Sequence, residues 1–356
     1  MKKISALLLI LFSGIIYFGS NNARFTEWFT EYRTDHTSFI VAHRGLGDLY
    51  NMCPLKEFNN PLIYKINKVK SDTKEIQLYL FCDSYLVSHV EKEHFYGVDS
   101  LVKIKWWDNN SYQKIDGLRN DKKNVLIIEL SERSVRDACH DFKTMIAPLS
   151  FDLITNTSTQ ISSKKLTEEF KFFNENINSN LELNIFSYKF FNRVREMKAG
   201  LNYSLFNRLN PNVYLDSEKH FLFYSPTLQG NSNSNSFFYM SKEEFENISS
   251  VLQKTKEHFF VNGFDEVYFS FIPNPVSVVH PKLGEYNQLL PLLSSLDSSI
   301  IKTIDVYSIF KRNPKMYYAN NDTHWNSSGL QKWLDETNQQ LINFLSSKNS
   351  KSISRK

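Results

Sequence analysis

Residues 76–90 read IQLYLFCDSYLVSHV, and the way this stretch divides decides the fold. From Ile76 to Phe81 it is a short apolar and aromatic run, the pattern of a buried strand. At Cys82-Asp83-Ser84 the polarity changes, and a helical pattern is expected to follow. The runs NVLIIEL (124–130) and EVYFSFI (266–272) have the same strand character, each bounded by polar residues. Amphipathic stretches alternate with them: SERSVRDACHDFKTMI (131–146), SKEEFENISSVLQKTKEHFF (241–260) and SSGLQKWLDETNQQLINFLSS (327–347). Ser241 with Glu244 three residues on predicts a capping box. Strand and helix alternating in this way predict a three-layer α/β fold with a mostly parallel sheet.

Residues from about 160 to 240 break that rhythm. KKLTEEFKFFNENINSN (164–180) and IFSYKFFNRVREMKAGLNYSLFNRL (185–209) predict a helical pair. NVYLDSEKHFLFYS (212–225) predicts a hairpin around Asp216-Ser217, and GNSNSNS (230–236) an exposed loop. The segment is expected to be a helical and hairpin insertion on the α/β core.

At 356 residues, 41% hydrophobic and 22% charged, the chain has the composition of a globular protein with one large core or two modest ones. The net charge is only +4 and no Lys/Arg block is dense, which argues against a nucleic-acid partner. The 29 Phe and 18 Tyr suit a thick core or a carbohydrate-facing cleft equally well. The first 20 residues, MKKISALLLILFSGIIYFGS, place two lysines before an apolar run, the layout of an export signal. Phe18 occupies the −3 position for cutting after Ser20, where a small residue is wanted, so an uncleaved anchor is favoured over a removed signal. Residues 21–356 are then expected outside the cytoplasmic membrane, on its periplasmic or extracellular face. Of the three cysteines, Cys53 and Cys139 are the pair expected to form a disulfide; none has metal-ligand spacing.

Reactive groups in an open parallel sheet gather beyond the carboxyl ends of the strands. Ser84 is expected there, near a helix N-terminus capped by Asp83 whose N–H groups can face a developing oxyanion. A serine needs a base oriented by a carboxylate, and NDTHWN (321–326) offers both: His324 as base and Asp322 to hold its tautomer. A metal site on Asp322 and His324 would need further ligands, and no His-x-His or Glu-x-x-His occurs; no cofactor is expected. Glu132 and Arg133 read as a strand-end ion pair shaping the cleft, with Arg133 able to orient a substrate. Of the adjacent Trp106 and Trp107, one is expected in the core. His89 and His94 read as surface histidines on the helix after Ser84.

A strand leading into Asp-Ser near the start, with an Asp/His pair near the end, resembles the SGNH (GDSL-like) hydrolase superfamily. NDTHWN is similar to the Asp-x-His-Trp motif of the alginate O-acetyltransferase-like branch, as VLIIELSERSV, FIPNPVSVVHP, LNYSLFNRL and HFLFYS are to that branch's weaker signatures. The likeness touches most of residues 76–330. Departures are Cys82 where the superfamily has glycine, Pro275 where lysine is common, and no Gly-x-Asn-Asp block, which leaves Gly117 as the candidate for the second block. The serine precedes the Asp-His pair, as in ordinary SGNH enzymes and unlike the alginate branch. The resemblance implies an SGNH-like fold and acyl transfer through Ser84, His324 and Asp322, with Arg133, Gly117 and Trp325 as candidate substrate or oxyanion contacts. It further implies a polysaccharide substrate and a membrane-bound O-acyltransferase partner supplying the acyl group. An esterase of the same fold, and a non-catalytic polysaccharide-assembly protein, remain open alternatives.

Overall fold

The computed structural model describes residues 2–21, 46–106, 118–147, 181 and 189–353. The chain divides into two compact units. One comprises Met1–Pro61 and Ile154–Asn210, the other Leu62–Leu153 and Pro211–Lys356.

The second unit holds a five-stranded parallel sheet. Its strands are β1 (Ile76–Cys82), β2 (Val98–Lys105), β3 (Lys123–Ser131), β6 (Glu266–Ile272) and β7 (Lys302–Ile304), in the order β2-β1-β3-β6-β7. A separate antiparallel pair, β4 (Val213–Leu215) with β5 (Leu222–Tyr224), forms the hairpin expected around Asp216. All seven residues of β1 and all seven of β6 are buried. Because neighbouring side chains point to opposite faces, this burial means both faces are covered, as a parallel sheet requires. On one face Trp333 Nε1 donates to Ser270 Oγ at 2.7 Å, from the helix Ser327–Ile353. The fold is α/β, a mostly parallel sheet flanked by helices.

The chain runs from β1 outward to β2, then crosses back to β3 on the other side of β1. The carboxyl ends of β1 and β3 therefore flank the point where the strand order reverses, the usual position for a site in such sheets. The helix Lys242–Val261 starts where expected, with Ser241 Oγ accepting the Glu244 N–H at 3.1 Å. Only this half of the expected capping box forms, because the Glu244 carboxylate is taken by Arg136. The stretch 131–146 instead forms two short helices, Glu132–Ala138 and Phe142–Ile146. Asp141 caps the second by accepting from Thr144 N at 2.9 Å.

The first unit contains the helices Lys2–Ser20, Asp48–Met52 and Lys189–Phe206. The last two are joined by Tyr50, whose hydroxyl donates to Glu196 Oε1 at 2.7 Å, and by Arg195, which donates to Asn51 O at 2.7 Å. The N-terminal helix leaves Ile4, Leu8, Ile10 and Phe12 largely exposed. Among the described residues no helix is long and apolar enough to cross a membrane. The first member of the expected helical pair, residues 164–180, lies outside the described residues, as do Trp107 and Gly117.

The hairpin and residues 211–240 cluster with the α/β unit. Two expectations are corrected. Cys53, Cys82 and Cys139 are all buried free thiols, so the Cys53–Cys139 disulfide does not exist. The loop GNSNSNS is exposed only at its start, while Asn235 and Ser236 are buried because Ser236 bonds to Asn274 and Ser277.

Candidate active site

β1 ends at Cys82 and the chain turns sharply. Asp83 N donates to Glu129 Oε2 at 2.8 Å, and Asp83 Oδ1 accepts from Tyr85 N at 2.8 Å. Beyond Ser84 the chain forms a run of turns rather than the expected helix. Val87 N bonds to Asp83 O and Val90 N to Leu86 O, after which the chain enters the short 3-10 turn Lys92–His94 and Gly97 at φ 72°. Fifteen residues, 83–97, carry the chain from the end of β1 to the start of β2, a length that could hold a short helix. The Asp83 side chain instead takes the Tyr85 N–H, Tyr85 is drawn to Thr323 O, and a positive-φ glycine closes the connection. Asp83 therefore closes a local side-chain turn instead of capping a helix.

The other half of the site lies at the start of the last helix. Asn326 Oδ1 accepts from Ser328 N at 2.9 Å and Gly329 N at 3.1 Å, the arrangement of an N-cap. Just before it, Trp325 bridges to Tyr318. Gly329 is required by packing: a Cβ there would stand 2.5 Å from Tyr317 O and 2.6 Å from Trp325 Cβ. Asp322 Oδ1 accepts from the backbone N of His324 at 2.7 Å and contacts His324 Nδ1 at 2.6 Å.

These two halves meet. Ser84 Oγ lies 2.7 Å from His324 Nε2. With Nδ1–H donating to Asp322, Nε2 is left as the acceptor for the serine hydroxyl. Both links fall within the reach needed for a nucleophile and its base. The two loops are clamped by Tyr85, whose hydroxyl donates to Thr323 O at 2.6 Å and whose ring lies 4.6 Å from that of His324. Tyr64 adds a second clamp, donating to Trp325 O at 2.7 Å. Asp322 is nearly buried, at 7% side-chain exposure, while His324 keeps 18%. The carboxylate is thus shielded from water and the imidazole remains reachable.

Around this chain of contacts the charges are arranged unevenly. Glu129 is fully buried, and its carboxyl is pushed well above the usual range, first by burial and then by the nearby charge of Asp83. Cys82 is equally buried; burial first, then the carboxyls of Glu129 and Asp83, push its thiol well up. It stays protonated, which removes it as a rival nucleophile. His89 is half-buried with its ring stacked 4.0 Å from Tyr64, and its pKa is lowered, first by burial and next by the charge of His324. His94 is buried and accepts from Glu91 N through Nδ1. Neither is the surface histidine that the sequence suggested.

The remaining sequence candidates divide. Arg133 is half-buried beyond β3, its guanidinium 5.9 Å from the Tyr224 ring. Glu132 is not held as its ion-pair partner. It is buried, accepting from Asn274 N at 2.8 Å and from Ser277 Oγ at 2.8–2.9 Å. Burial raises its pKa to about 7 against the opposing pull of these hydrogen bonds. Trp325 is fully buried against Tyr85, Phe310 and Trp333, so it is a core residue behind His324 rather than a substrate contact. Trp106 donates to Glu129 O at 2.6 Å and packs on Phe81 at 3.8 Å. Sequence reasoning missed Tyr85, Glu129 and Asn326. An Asn directly before an amphipathic run was a readable cap signal; the other two are apolar-run residues whose roles depend on the neighbouring strand and loop. No family model, curated protein or solved structure matches this chain.

Proposed function

We propose that this chain is an exported acyltransferase of SGNH-like type. In this reading it moves acetyl groups to hydroxyls of a cell-envelope or exported polysaccharide through a covalent Ser84 intermediate. The observation that carries the proposal is the continuous contact from Ser84 Oγ to His324 Nε2 and from His324 Nδ1 to Asp322, at 2.7 and 2.6 Å. Its place at the carboxyl end of β1, where the strand order reverses, adds support.

The chemistry has two steps. Ser84 Oγ attacks the acyl carbonyl carbon while His324 Nε2 takes the hydroxyl proton; the donor's leaving group departs with that proton, and the acyl group stays on Ser84. A sugar hydroxyl then attacks the acyl-serine, His324 takes its proton, and Ser84 Oγ recovers the proton as the new ester leaves. Asp322 holds the imidazole orientation and stabilises the imidazolium in both steps. The Ser84 backbone N–H is one oxyanion donor in this scheme. The acyl donor reaches the domain through a membrane-bound O-acyltransferase partner, a reading that rests on the resemblance. Export, with the N-terminal segment as anchor or signal, rests on Lys2-Lys3 and the apolar run after them.

One observation favours a second reading. The imidazole of His324 is partly open to solvent, and water admitted there would make the protein an esterase that removes acyl groups. Intact mass spectrometry separates the two. The protein is incubated with p-nitrophenyl acetate, with and without an oligosaccharide acceptor, beside Ser84→Ala. A Ser84-dependent adduct of acetyl mass that passes faster to sugar than to water establishes the transferase. One lost only to water establishes the esterase. No adduct and no p-nitrophenol release reject both, leaving a non-catalytic polysaccharide-assembly role.

A further inference from the structure

We propose that the turn of the β4–β5 hairpin, together with His280, is a binding site for a divalent transition-metal ion of the Zn²⁺ type, with Asp216, Glu218, His220 and His280 as its ligands. The proposal is independent of the acyl-transfer reading.

One donor atom from each of Asp216, Glu218 and His220 lies within 4.8 Å of the other two. A charged turn on a protein surface needs no ion, and Glu218 and His220 taken alone would be unremarkable exposed residues. Asp216 differs. It is buried to 1% side-chain exposure, and its Oδ1 is committed to the backbone N–H groups of His220 and Phe221, at 2.6 and 2.9 Å. Its Oδ2 is buried and makes no hydrogen bond. The same holds for Nε2 of His280, which stands 3.2 Å from that oxygen. The two atoms stand at ion-pair distance but no hydrogen bond joins them, and an ion accepting a lone pair from each would remove the desolvation cost they carry.

The spacing fits such an ion. With ligand bonds of about 2.0–2.1 Å, adjacent ligands of a tetrahedral zinc centre stand about 3.3 Å apart. The Asp216–His280 pair lies at 3.2 Å, and the His220 Nδ1 to Glu218 Oε2 pair also at 3.2 Å. Asp216 belongs to both sets of donors, the turn with Glu218 and His220 and the buried pair with His280, and so links them. Two imidazoles with two carboxylates suit Zn²⁺ or its near neighbours, while Ca²⁺ and Mg²⁺ prefer oxygen ligands alone. The alternation Asp-x-Glu-x-His across a tight turn, closed by Lys219 at φ 56°, gathers three of the four donors within five residues.

The test uses the full chain, stripped with chelator, equilibrated with Zn²⁺, dialysed and measured for bound metal. Titration calorimetry then gives affinity, and Co²⁺ substitution reports geometry by its visible absorption. The expected result is one Zn²⁺ per chain and a tetrahedral Co²⁺ spectrum. Glu218→Gln, His220→Ala and His280→Ala should each weaken binding tenfold or more. Glu218 and His220 are exposed, so their variants should keep the fold, checked by circular dichroism. His324→Ala and His140→Ala should leave binding unchanged. Absence of stoichiometric zinc, unchanged affinity in any of the three ligand variants, or loss of binding in His324→Ala would overturn the assignment.

Discussion

Glu129 Oε2 accepts the backbone N–H of Asp83 at 2.8 Å, so a side chain from β3 pins the residue that precedes Ser84. Burial and the charge of Asp83 push this carboxyl well above the usual range, and an amide of the same shape keeps the accepting oxygen, so it should serve as well. Glu129→Gln is expected to retain p-nitrophenyl acetate turnover within about threefold, under ~1 kcal/mol of barrier. Glu129→Ala leaves a buried N–H without its acceptor, at about 1–3 kcal/mol, and should lower kcat at least tenfold with little change in KM. Equal losses in both variants would mean that the charge of Glu129, rather than its grip on Asp83, matters.

Asp322 tests the orienting role. In Asp322→Asn the one atom that meets both the backbone N–H and Nδ1 of His324 becomes either the amide oxygen or the amide nitrogen. The oxygen keeps both bonds but loses the charge that stabilises the imidazolium; the nitrogen gives up the backbone bond and imposes the wrong tautomer. The acylation rate, followed as the p-nitrophenol burst, should fall about 10³–10⁴-fold, with circular dichroism unchanged. A variant that acylates like the parent would remove Asp322 from the mechanism.

Glu132 ties the end of β3 to the segment after β6, and its pKa is raised by burial from 4.5 to about 7. An acid whose folded pKa lies above its unfolded value binds more protons when folded. Its contribution is therefore fully present below about pH 4.5 and is lost as pH rises through 7. The loss is on the order of 3 kcal/mol for a shift of this size. Urea titrations of the parent between pH 4.5 and 7.5 should show this decline, and Glu132→Gln should flatten it. Parallel curves for parent and variant would refute the assignment.

Gly329→Ala places a Cβ against Tyr317 O and Trp325 Cβ. The clash should cost about 1–3 kcal/mol. Because Trp325 follows His324, acylation should fall together with the melting temperature. Gly200→Ala is the control: nothing lies within 4 Å of its added Cβ, and a mid-helix glycine replaced by alanine should gain about 0.5–1 kcal/mol. A melting temperature for Gly329→Ala at or above the parent's would contradict the packing described.

The central strands were legible because complete burial on both faces writes them as unbroken apolar runs, in IQLYLF, NVLIIEL and EVYFSFI alike. The strand β2, VDSLVKIK, hides its identity because it pairs with β1 alone, and most of its residues are only half-buried. At three residues, β7 is too short for any period to show. After Ser84 the apolar spacing of Tyr85, Leu86 and Val90 imitated a helix, yet Tyr85 turns its hydroxyl to Thr323 and the Asp83 side chain takes the Tyr85 N–H, which leaves turns in the helix's place. The Ser84, His324 and Asp322 set could be proposed from residue type and position, and the fold brings all three together. Glu132 was misread because a charge beside Arg133 suggests an ion pair, whereas its partners lie more than 100 positions away, in Asn274 and Ser277.

The single oxygen of Asp322 that accepts both the backbone and the ring of His324 makes base and orienting carboxylate one local piece, two positions apart. Ser84 stands 240 positions from that piece. On the acyl-transfer reading proposed above, a chain emerging N-terminus first would present Ser84 long before anything can activate it, and Ser84 would stay silent until the segment bearing His324 has docked. The onset of acylation during refolding would then time the meeting of Ser84 with His324, and would serve as a clock for complete assembly of the sheet.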